Sequence, residues 1–181
     1  PIWIAGDSEA THRLAAKRGY TPIITGRWSG PSYLAEQKKR IDNSFNIEGV
    51  KHANYPLGIL RFACVTESLK ETNEYVENAL YQLRLAASLR SRAEVMQGAS
   101  MIEKSVPGEL SLDEMAKNLP VGDAETVAVK LLEDIQASGA SHVMLNIRAG
   151  CSTMQQAKRT ITAFETTIRP IIEDALSQSS H

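Results

Sequence analysis

The chain has 181 residues, 43% of them hydrophobic and 23% charged, which is enough to bury one hydrophobic core in a single domain. A formal net charge of −1 gives no electrostatic reason to expect a nucleic acid or an anionic membrane as a partner. No apolar run approaches the roughly 20 residues that span a bilayer. Cys64 and Cys151 lack metal-ligand spacing, so we expect no zinc site, and they are consistent with a reducing, cytoplasmic location.

Apolar, strand-like segments alternate with capped helical segments, a pattern that predicts a parallel sheet with crossover helices. Ser8 is a suitable N-cap for the first helix, and Gly19 is a suitable residue to end it. The second strand is followed by the polar loop Gly26 to Gly30. In chain order the predicted elements are a strand at Pro1 to Gly6, a helix to about Arg18, a strand at Thr21 to Thr25 and a helix at Ser32 to about Ser44.

The third predicted strand, Leu57 to Val65, is apolar and β-branched enough to be buried on both faces, with Cys64 as a small buried hydrophobe. A long helix is predicted from near Ser68 to about Arg92. The helical pattern weakens from Glu94 to Leu119. We interpret that segment as an excursion from the regular βα repeat and as a candidate mobile flap.

Regular patterning returns with a helix capped by Asp123 and ended by Gly139, and with a fourth strand at His142 to Ile147. Ser152 to Gln155 form a capping box that predicts the start of the last helix, and Pro170 is expected to kink it. Residues 1–181 therefore form one predicted α/β domain of about four βα units, which is half of a TIM barrel. Predicted buried helix residues are Val127, Leu131, Leu132 and Ile135, and then Ala157, Ile161, Phe164 and Ile168.

The chain opens with an apolar run, Pro1 to Gly6, without an initiator Met, which indicates a cut through a longer polypeptide. Four βα units would also present two open, apolar sheet edges, which natural proteins avoid. We therefore expect the other half of the barrel to be supplied by another segment or chain, or the chain to associate with itself.

The first strand turns at once into a capped helix, which is a favourable place for a phosphate group. Backbone N–H groups at a helix start lack intrahelical partners, and the helix dipole favours an anion there. Gly6 would let the backbone approach a ligand, and Ser8 and Thr11 offer hydroxyl donors three residues apart. Asp7 and Glu9 add negative charge and weigh against a phosphate. An ordinary N-cap without a ligand remains the alternative interpretation.

Four segments, taken in order, carry a resemblance to a known family. Ile4 to Gly19 (IAGDSEATHRLAAKRG) has an acidic-Ser-x-x-Thr turn before an alanine-rich helix that ends in Arg-Gly. Val121 to Val127 resembles a G-T-P-E-x-V helix start, with Asp123 as a departure that still caps the helix. Gly139 to Leu145 resembles a last strand, and Phe164 to Pro170 an F-x-x-x-V-x-P helix. Their order and spacing resemble the second half of the bacterial luciferase-like flavin-dependent monooxygenases.

The resemblance implies a flavin-dependent TIM-barrel oxidoreductase that binds reduced FMN and uses oxygen on a small organic substrate. Related members use a deazaflavin to move hydride, and a separate flavin reductase would supply reduced flavin. Catalytic residues of the family come largely from the first half of the barrel, so we expect none here and no activity from an isolated half. Ser8 and Thr11 match the positions that hold the flavin phosphate. The candidate cofactor-binding residues are Asp7, Ser8, Thr11, Arg27 and Trp28, with Arg148 as a further residue at a strand end.

Two other functions are compatible with the sequence. Gly6 to Ser8 reads G-D-S after a strand, as in a class of serine esterases, but Asp134 and His142 lack the D-x-x-H spacing which that chemistry uses. A non-catalytic flavin-binding protein of the same fold is the second alternative. The remaining histidines suggest no acid–base pair: His12 is expected to be exposed on a helix and His52 to lie in a loop. His142 is expected at the strand end away from the pocket.

Overall fold

Our computed structural model of the chain describes residues 1–51 and 55–178, so His52 lies outside the described residues. Its strands are β1 (Trp3–Ala5), β2 (Thr21–Thr25), β3 (Gly58–Phe62), β4 (Cys64–Val65), β5 (Met96–Gln97), β6 (Ser100–Met101), β7 (Val121–Gly122) and β8 (His142–Asn146). Its helices are α1 (Glu9–Arg18), α2 (Pro31–Ile47), α3 (Leu69–Ser91), α4 (Leu112–Asn118), α5 (Ala124–Ser138), α6 (Met154–Ala163) and α7 (Arg169–Gln178).

The main sheet is parallel and has the spatial order β1-β2-β3-β8, which is also the chain order. Each strand is followed by at least one helix before the next strand of the sheet begins. Because parallel neighbours must be joined by crossovers, the alternating pattern of the sequence leads to this arrangement. The predicted α/β fold with a parallel sheet is confirmed.

The two faces of the main sheet have different surroundings, because successive side chains of a strand point to opposite faces. Ile24, Ile59 and Val143 pack with residues of α1, α2 and α5. The opposite face, which we call the inner face, carries Thr25 paired with Leu60 and Leu60 paired with Met144. Leu60 is 36% exposed, so the inner face is covered less completely than the opposite face.

Helix ends follow the capping residues predicted from the sequence. The Ser8 hydroxyl accepts a hydrogen bond from the Thr11 N–H at the start of α1, and Gly19 ends that helix with a left-handed φ of 65°. Asp123 caps α5 in the same way, and Gly139 ends it with a φ of 63°. These ends are determined locally, since the capping bonds join residues three positions apart.

The third predicted strand is wrong in two respects. It divides at Ala63 into β3 and β4, and β4 leaves the main sheet to pair with β7 in a separate two-stranded sheet. It is also not buried on both faces, since Leu60 lies on the inner face. Which neighbour a strand pairs with is a tertiary choice, so the apolar run alone could not show the division.

The last helical segment differs from its prediction at two points, its cap and one buried residue, and it contains a π-helical turn that the sequence did not predict. Thr153 and Gln156 form the capping box of α6, one residue beyond the predicted Ser152 and Gln155. Ile161, predicted to be buried, is 53% exposed. A π-helical turn at Phe164–Ile168 precedes α7, which continues through Pro170. Pro170 lies two residues beyond this turn and lacks the N–H of a regular helical bond.

Residues 94–120 contain the short antiparallel hairpin of β5 and β6, followed by α4. A capping box of Ser111 and Glu114 starts α4. The Arg84 side chain of α3 pairs with Glu103 at 2.7 Å and with Glu109 at 2.5 Å, which joins this segment to the long helix. Within residues 1–51 and 55–178, no helix has the length and hydropathy needed to cross a membrane.

Candidate functional site

The β1–α1 turn, residues 6–11, brings the two predicted hydroxyl groups together. Ser8 Oγ lies 2.8 Å from Thr11 Oγ1 and also accepts the Thr11 N–H at 3.2 Å. Both side chains stand at the carboxyl end of β1 and at the first turn of α1. In a parallel α/β sheet this is the edge where ligands bind, and a helix N-terminus there favours an anion.

Gly6 is required at this turn by the packing of Thr11. A Cβ atom added to Gly6 would lie 2.9 Å from Thr11 Cγ2 and 3.0 Å from Thr11 Oγ1. The Thr11 hydroxyl therefore keeps its position beside Ser8 only because residue 6 has no side chain. The sequence indicates Gly6 as a point of close approach, and the neighbour that approaches it is part of the chain itself.

Three basic side chains bind atoms of this turn. His12 Nε2 donates to the Gly6 carbonyl at 2.9 Å, and Arg40 Nη2 donates to the Asp7 carbonyl at 3.0 Å. Arg27 Nη2 pairs with the Asp7 carboxylate, also at 3.0 Å. The structure thus gathers Asp7, Ser8, Thr11 and Arg27, four of the five predicted cofactor-binding residues.

The predicted exposure of His12 is wrong, because the side chain is 3% exposed between α1 and α2. Burial lowers the pKa of His12, with the nearby Arg40 guanidinium acting in the same direction and the Gly6 carbonyl opposing it. The imidazole is therefore neutral at pH 7. Sequence reasoning also missed Arg40, since it lies 33 residues from Asp7 and no local pattern links the two.

A cavity of about 410 Å³, here called the strand-end cavity, lies at the carboxyl ends of β2, β3 and β8. Leu60 and Phe62 of the inner face form one wall, and the C-terminal half of α3 forms the opposite wall. Arg27 lines this cavity and also pairs with Asp7, so it connects the cavity with the β1–α1 turn. The lining residues are Thr25, Arg27, Leu60, Phe62, Gln82, Leu83, Ala86, Leu89, Arg90 and Asn146.

The loop after β2 holds Arg27 in an unusual backbone conformation. Arg27 has a φ of 48°, in the left-handed region that non-glycine residues seldom adopt and that often occurs at functional sites. Trp28 packs beside the apolar cluster around Cys64 and Tyr75 and is not among the residues that line the strand-end cavity. The Trp28 carbonyl accepts a hydrogen bond from Asn118 Nδ2 at 3.1 Å.

A buried ion pair packs against the same loop. Arg61 Nε lies 2.7 Å from Asp134 Oδ2, and the two side chains are 0% and 1% exposed. Arg61 Nη2 also donates to the Asn118 carbonyl at 2.8 Å. Burial lowers the pKa of Arg61 and raises the pKa of Asp134 to about 6. A Cβ atom on Gly26 would lie 2.0 Å from Arg61 Nη1, so the guanidinium packs directly against the loop.

The remaining candidate residues lie apart from the turn. Arg148 is exposed after β8 and donates to the Ser152 carbonyl at 3.3 Å. His142 begins β8, at the sheet end away from the cavity as predicted, and its Nδ1 lies 2.9 Å from Ser141 Oγ. Asp134 is bonded to Arg61, so neither partner of an esterase triad contacts Ser8. In the part of the chain that the structure describes, no three His, Cys, Asp or Glu side chains could hold a metal ion.

A second cavity, of about 750 Å³, lies between the N-terminal ends of α3 and α5 and the helix α4. It is larger than the strand-end cavity, but none of the predicted site residues line it. Acidic groups dominate its charged lining, with Glu67, Asp113 and Asp123 beside Lys117 and Lys130. Lys130 Nζ donates to the Ala116 and Leu119 carbonyls, so its positive charge caps the C-terminal end of α4.

Comparison with known proteins shows the family. Residues 1–142 match the family model of the luciferase-like monooxygenases. The chain is 28% identical over 180 residues to the uncharacterized protein y4vJ of Sinorhizobium fredii, which covers 99% of this chain and 51% of that protein. The chain thus spans about half the length of the curated relative that it matches.

Solved structures of low identity share the fold. The monooxygenase RslO1 of Streptomyces bottropensis superposes with a TM-score of 0.64 at 14% identity, over 93% of this chain and 47% of that one. The oxygenating constituent of 3,6-diketocamphane monooxygenase of Pseudomonas putida, solved with FMN, gives 0.61 at 16% identity, over 94% and 48%. An F420-dependent secondary alcohol dehydrogenase, solved with an F420-acetone adduct, gives 0.62 at 17% identity, over 95% and 48%.

The four βα units thus correspond to about half of the TIM barrel of these enzymes, as the sequence predicted. The residues matched by the family model include the β1–α1 turn, the loop after β2 and most of the strand-end cavity. The chain therefore belongs to the luciferase-like monooxygenase family.

Proposed function

We propose that the β1–α1 turn and the strand-end cavity together bind a flavin nucleotide. The chain would then form the C-terminal part of a flavin-dependent monooxygenase that uses reduced FMN and oxygen on a small organic substrate. One observation carries this proposal: Arg27 lines the cavity and pairs with Asp7 of the turn, so the two features form one continuous site. The FMN in one solved relative and the F420 adduct in another support it.

The turn suits the phosphate end of such a ligand. The adjacent hydroxyl groups of Ser8 and Thr11 are donors at the positive end of α1. The Asp7 carboxylate, which weighed against an anion, is paired with Arg27 and is therefore partly neutralised. Hydrogen bonds to a charged phosphate are stronger than neutral ones, so two hydroxyl donors can contribute a measurable share of the affinity.

The strand-end cavity suits the ring system. A volume of about 410 Å³ lies within the range of small-molecule pockets, and its walls are mostly apolar with a few polar groups. Leu60, Phe62 and Leu83 would exclude water from one side of a flat aromatic ring. When bound, the reduced flavin would supply the electrons for the reaction with oxygen, and the residues of this chain would hold and shield it.

No side chain of this chain is proposed as an acid, a base or a nucleophile. The residues that act on the substrate would come from the N-terminal half of the barrel, as another segment or chain. Reduced flavin would come from a separate reductase. We accordingly expect residues 1–181 to be inactive without that half.

Flavin affinity tests the proposal. In the intact natural polypeptide, combined Ser8→Ala and Thr11→Val substitutions should weaken FMN binding by roughly a hundredfold or more, because each of the two hydrogen bonds to a charged group contributes about 1.5–3 kcal/mol. The affinity for riboflavin, which lacks the phosphate, should differ less than about twofold between the substituted and the unmodified protein. Fluorescence titration with both ligands measures the two dissociation constants.

Loss of the helix cap needs a matched control, since Ser8 also caps α1. Thr153→Ala removes the equivalent cap of α6, outside the site, and should leave both flavin affinities unchanged. Equal affinity of the unmodified protein for FMN and riboflavin would contradict a phosphate site in the turn.

A deazaflavin cofactor and a non-catalytic flavin-binding protein are the alternatives. The F420-dependent relative supports the first, and the phosphate turn would serve either cofactor. Oxygen consumption by the intact protein with reduced FMN and a panel of aldehydes and ketones separates these functions. Substrate-dependent oxygen uptake is the result expected of a monooxygenase. Hydride transfer with deazaflavin alone, or tight flavin binding without turnover, would favour the respective alternative.

A further inference from the structure

We propose that His12 is a positioning residue for the β1–α1 turn, holding the Gly6 carbonyl from inside the protein so that the next N–H groups face the ligand. This inference rests on the proposed phosphate site and deepens it. His12 would not touch the ligand. It would act through the backbone of Gly6 and Asp7.

The hydrogen bond of His12 defines its protonation at one nitrogen. Nε2 lies 2.9 Å from the Gly6 carbonyl oxygen, and a carbonyl can only accept, so Nε2 carries the hydrogen. Nδ1 is buried and has no hydrogen-bond partner in the part of the chain that the structure describes. The imidazole therefore relays nothing to a further side chain, and its one bond is to the turn.

The geometry of the peptide bond determines where the N–H group that follows the Gly6 carbonyl points. In a trans peptide the C=O and the N–H point in opposite directions. When the Gly6 carbonyl points inward to His12, the Asp7 N–H of the same peptide must point the opposite way. Arg40 binds the Asp7 carbonyl at 3.0 Å and in the same manner directs the Ser8 N–H. Two successive N–H groups are thus turned away from α2, on the side opposite to His12 and Arg40.

The position of His12 is fixed by its surroundings. Its side chain is 3% exposed and lines a small cavity of about 200 Å³ between α1 and α2, together with Arg40, Asn43 and Ser44. A neutral imidazole there donates a hydrogen bond without adding a second cation beside Arg40. An ordinary buried histidine would satisfy the same description of burial, so only ligand affinity distinguishes a positioning role from a merely structural one.

The test compares His12→Leu with His12→Gln in the intact natural polypeptide, by titration with FMN and with riboflavin. The Gln amide nitrogen can reach the Gly6 carbonyl from nearly the same place as Nε2, whereas Leu cannot donate. We expect His12→Leu to weaken FMN binding about tenfold with less than a twofold change for riboflavin. His12→Gln should retain FMN affinity within about threefold.

Two further variants keep the inference open to refutation. Asn43→Ala alters the same small cavity without a bond to the turn and should leave the ratio of the two affinities unchanged. Arg40→Leu removes the second carbonyl contact and should lower the ratio of FMN affinity to riboflavin affinity. This variant tests the inference even if His12→Leu fails to fold. An unchanged ratio in His12→Leu and Arg40→Leu, with FMN still preferred by the unmodified protein, would overturn this inference alone. Equal binding of FMN and riboflavin by the unmodified protein would overturn it together with the phosphate site.

Discussion

Three basic side chains, of which only His12 is buried, connect the candidate site to the rest of the protein. Arg27, Arg40 and His12 each bind a different atom of the Gly6–Asp7 backbone or of the Asp7 carboxylate. The bonds come from α1, from α2 and from the loop after β2, so the orientation of the hydroxyl pair depends on one local and two long-range contacts at once. A single substitution among them should therefore lower the ligand affinity without unfolding the chain.

The titration of His12 leads to a pH prediction at this scale. Burial lowers the pKa of the folded His12 below the value of about 6.5 expected in the unfolded chain. The folded state then binds fewer protons than the unfolded state, so its stability decreases as the pH falls below about 6.5. Arg40 adds to this effect, and the charges of Asp7 and Glu9 oppose it.

Urea denaturation at pH 8 and at pH 5.5 checks this prediction. The free energy of unfolding of the unmodified protein should decrease more on acidification than that of His12→Gln, which lacks the titrating group. Asp134, whose pKa is raised to about 6, has the opposite pH dependence, but it is present in both proteins and cancels in the difference. Equal losses in the two proteins would show that folding does not lower the pKa of His12.

At the scale of elements, the loop after β2 is held by groups from three other elements. Arg61 of β3 packs against Gly26, and its partner Asp134 belongs to α5. Asn118, the last residue of α4, donates to the Trp28 carbonyl and accepts from Arg61 through its own carbonyl. Arg27 thus reaches Asp7 from a loop whose position depends on β3, α4 and α5 together.

Gly26→Ala tests that dependence. The new Cβ would lie 2.0 Å from Arg61 Nη1, so either the guanidinium or the loop must shift. Such overpacking costs about 1–3 kcal/mol, and a shifted loop would separate Arg27 from Asp7. We expect a lower free energy of unfolding in urea and a several-fold weaker FMN affinity. Ser29→Ala in the same loop is the control and should change neither quantity. Unchanged stability in Gly26→Ala would contradict the close packing.

The helix ends show how far local patterns extend at this scale. Ser8, Asp123 and their closing glycines were predictable because a cap depends on residues three positions apart. At α6 the same pattern admits two choices, and the structure selects Thr153 because the Ser152 hydroxyl instead accepts the Ala149 N–H at 2.9 Å. That contact belongs to the loop after β8 and leaves no signature in the capping motif.

For the whole molecule, the main feature is a four-stranded parallel sheet with β1 and β8 at its edges and an inner face only partly covered. Leu60 at 36% exposure and the half-buried Met144 lie on that face. Open strand edges and apolar faces favour association, so the prediction of a second half or of self-association stands. The chain covers 47% and 48% of two solved structures that share its fold, and the second half stays a prediction.

Size-exclusion chromatography of residues 1–181 alone tests it. We expect oligomers or aggregates, and a single defined complex when a polypeptide that carries the other half of the barrel is supplied in trans. Leu60→Lys places a charge on the inner face and should weaken both kinds of association. Val129→Lys, at a 51% exposed position of α5, is the matched control and should weaken neither. A stable, lone monomer of residues 1–181 would contradict the prediction.

The sequence by itself determined the alternation of strands and helices, the helix caps and the hydroxyl pair of the β1–α1 turn. Each of these depends on neighbours within a few residues, and the order of the motifs was enough to indicate the family. The tertiary structure alone decided the burial of His12, the division of the third strand, and the reach of Arg40 to a carbonyl 33 residues away. It also decided the pairing of Arg61 with Asp134 across 73 positions. Such contacts form only when the packed sheet and helices bring distant side chains together, and no local periodicity encodes that distance.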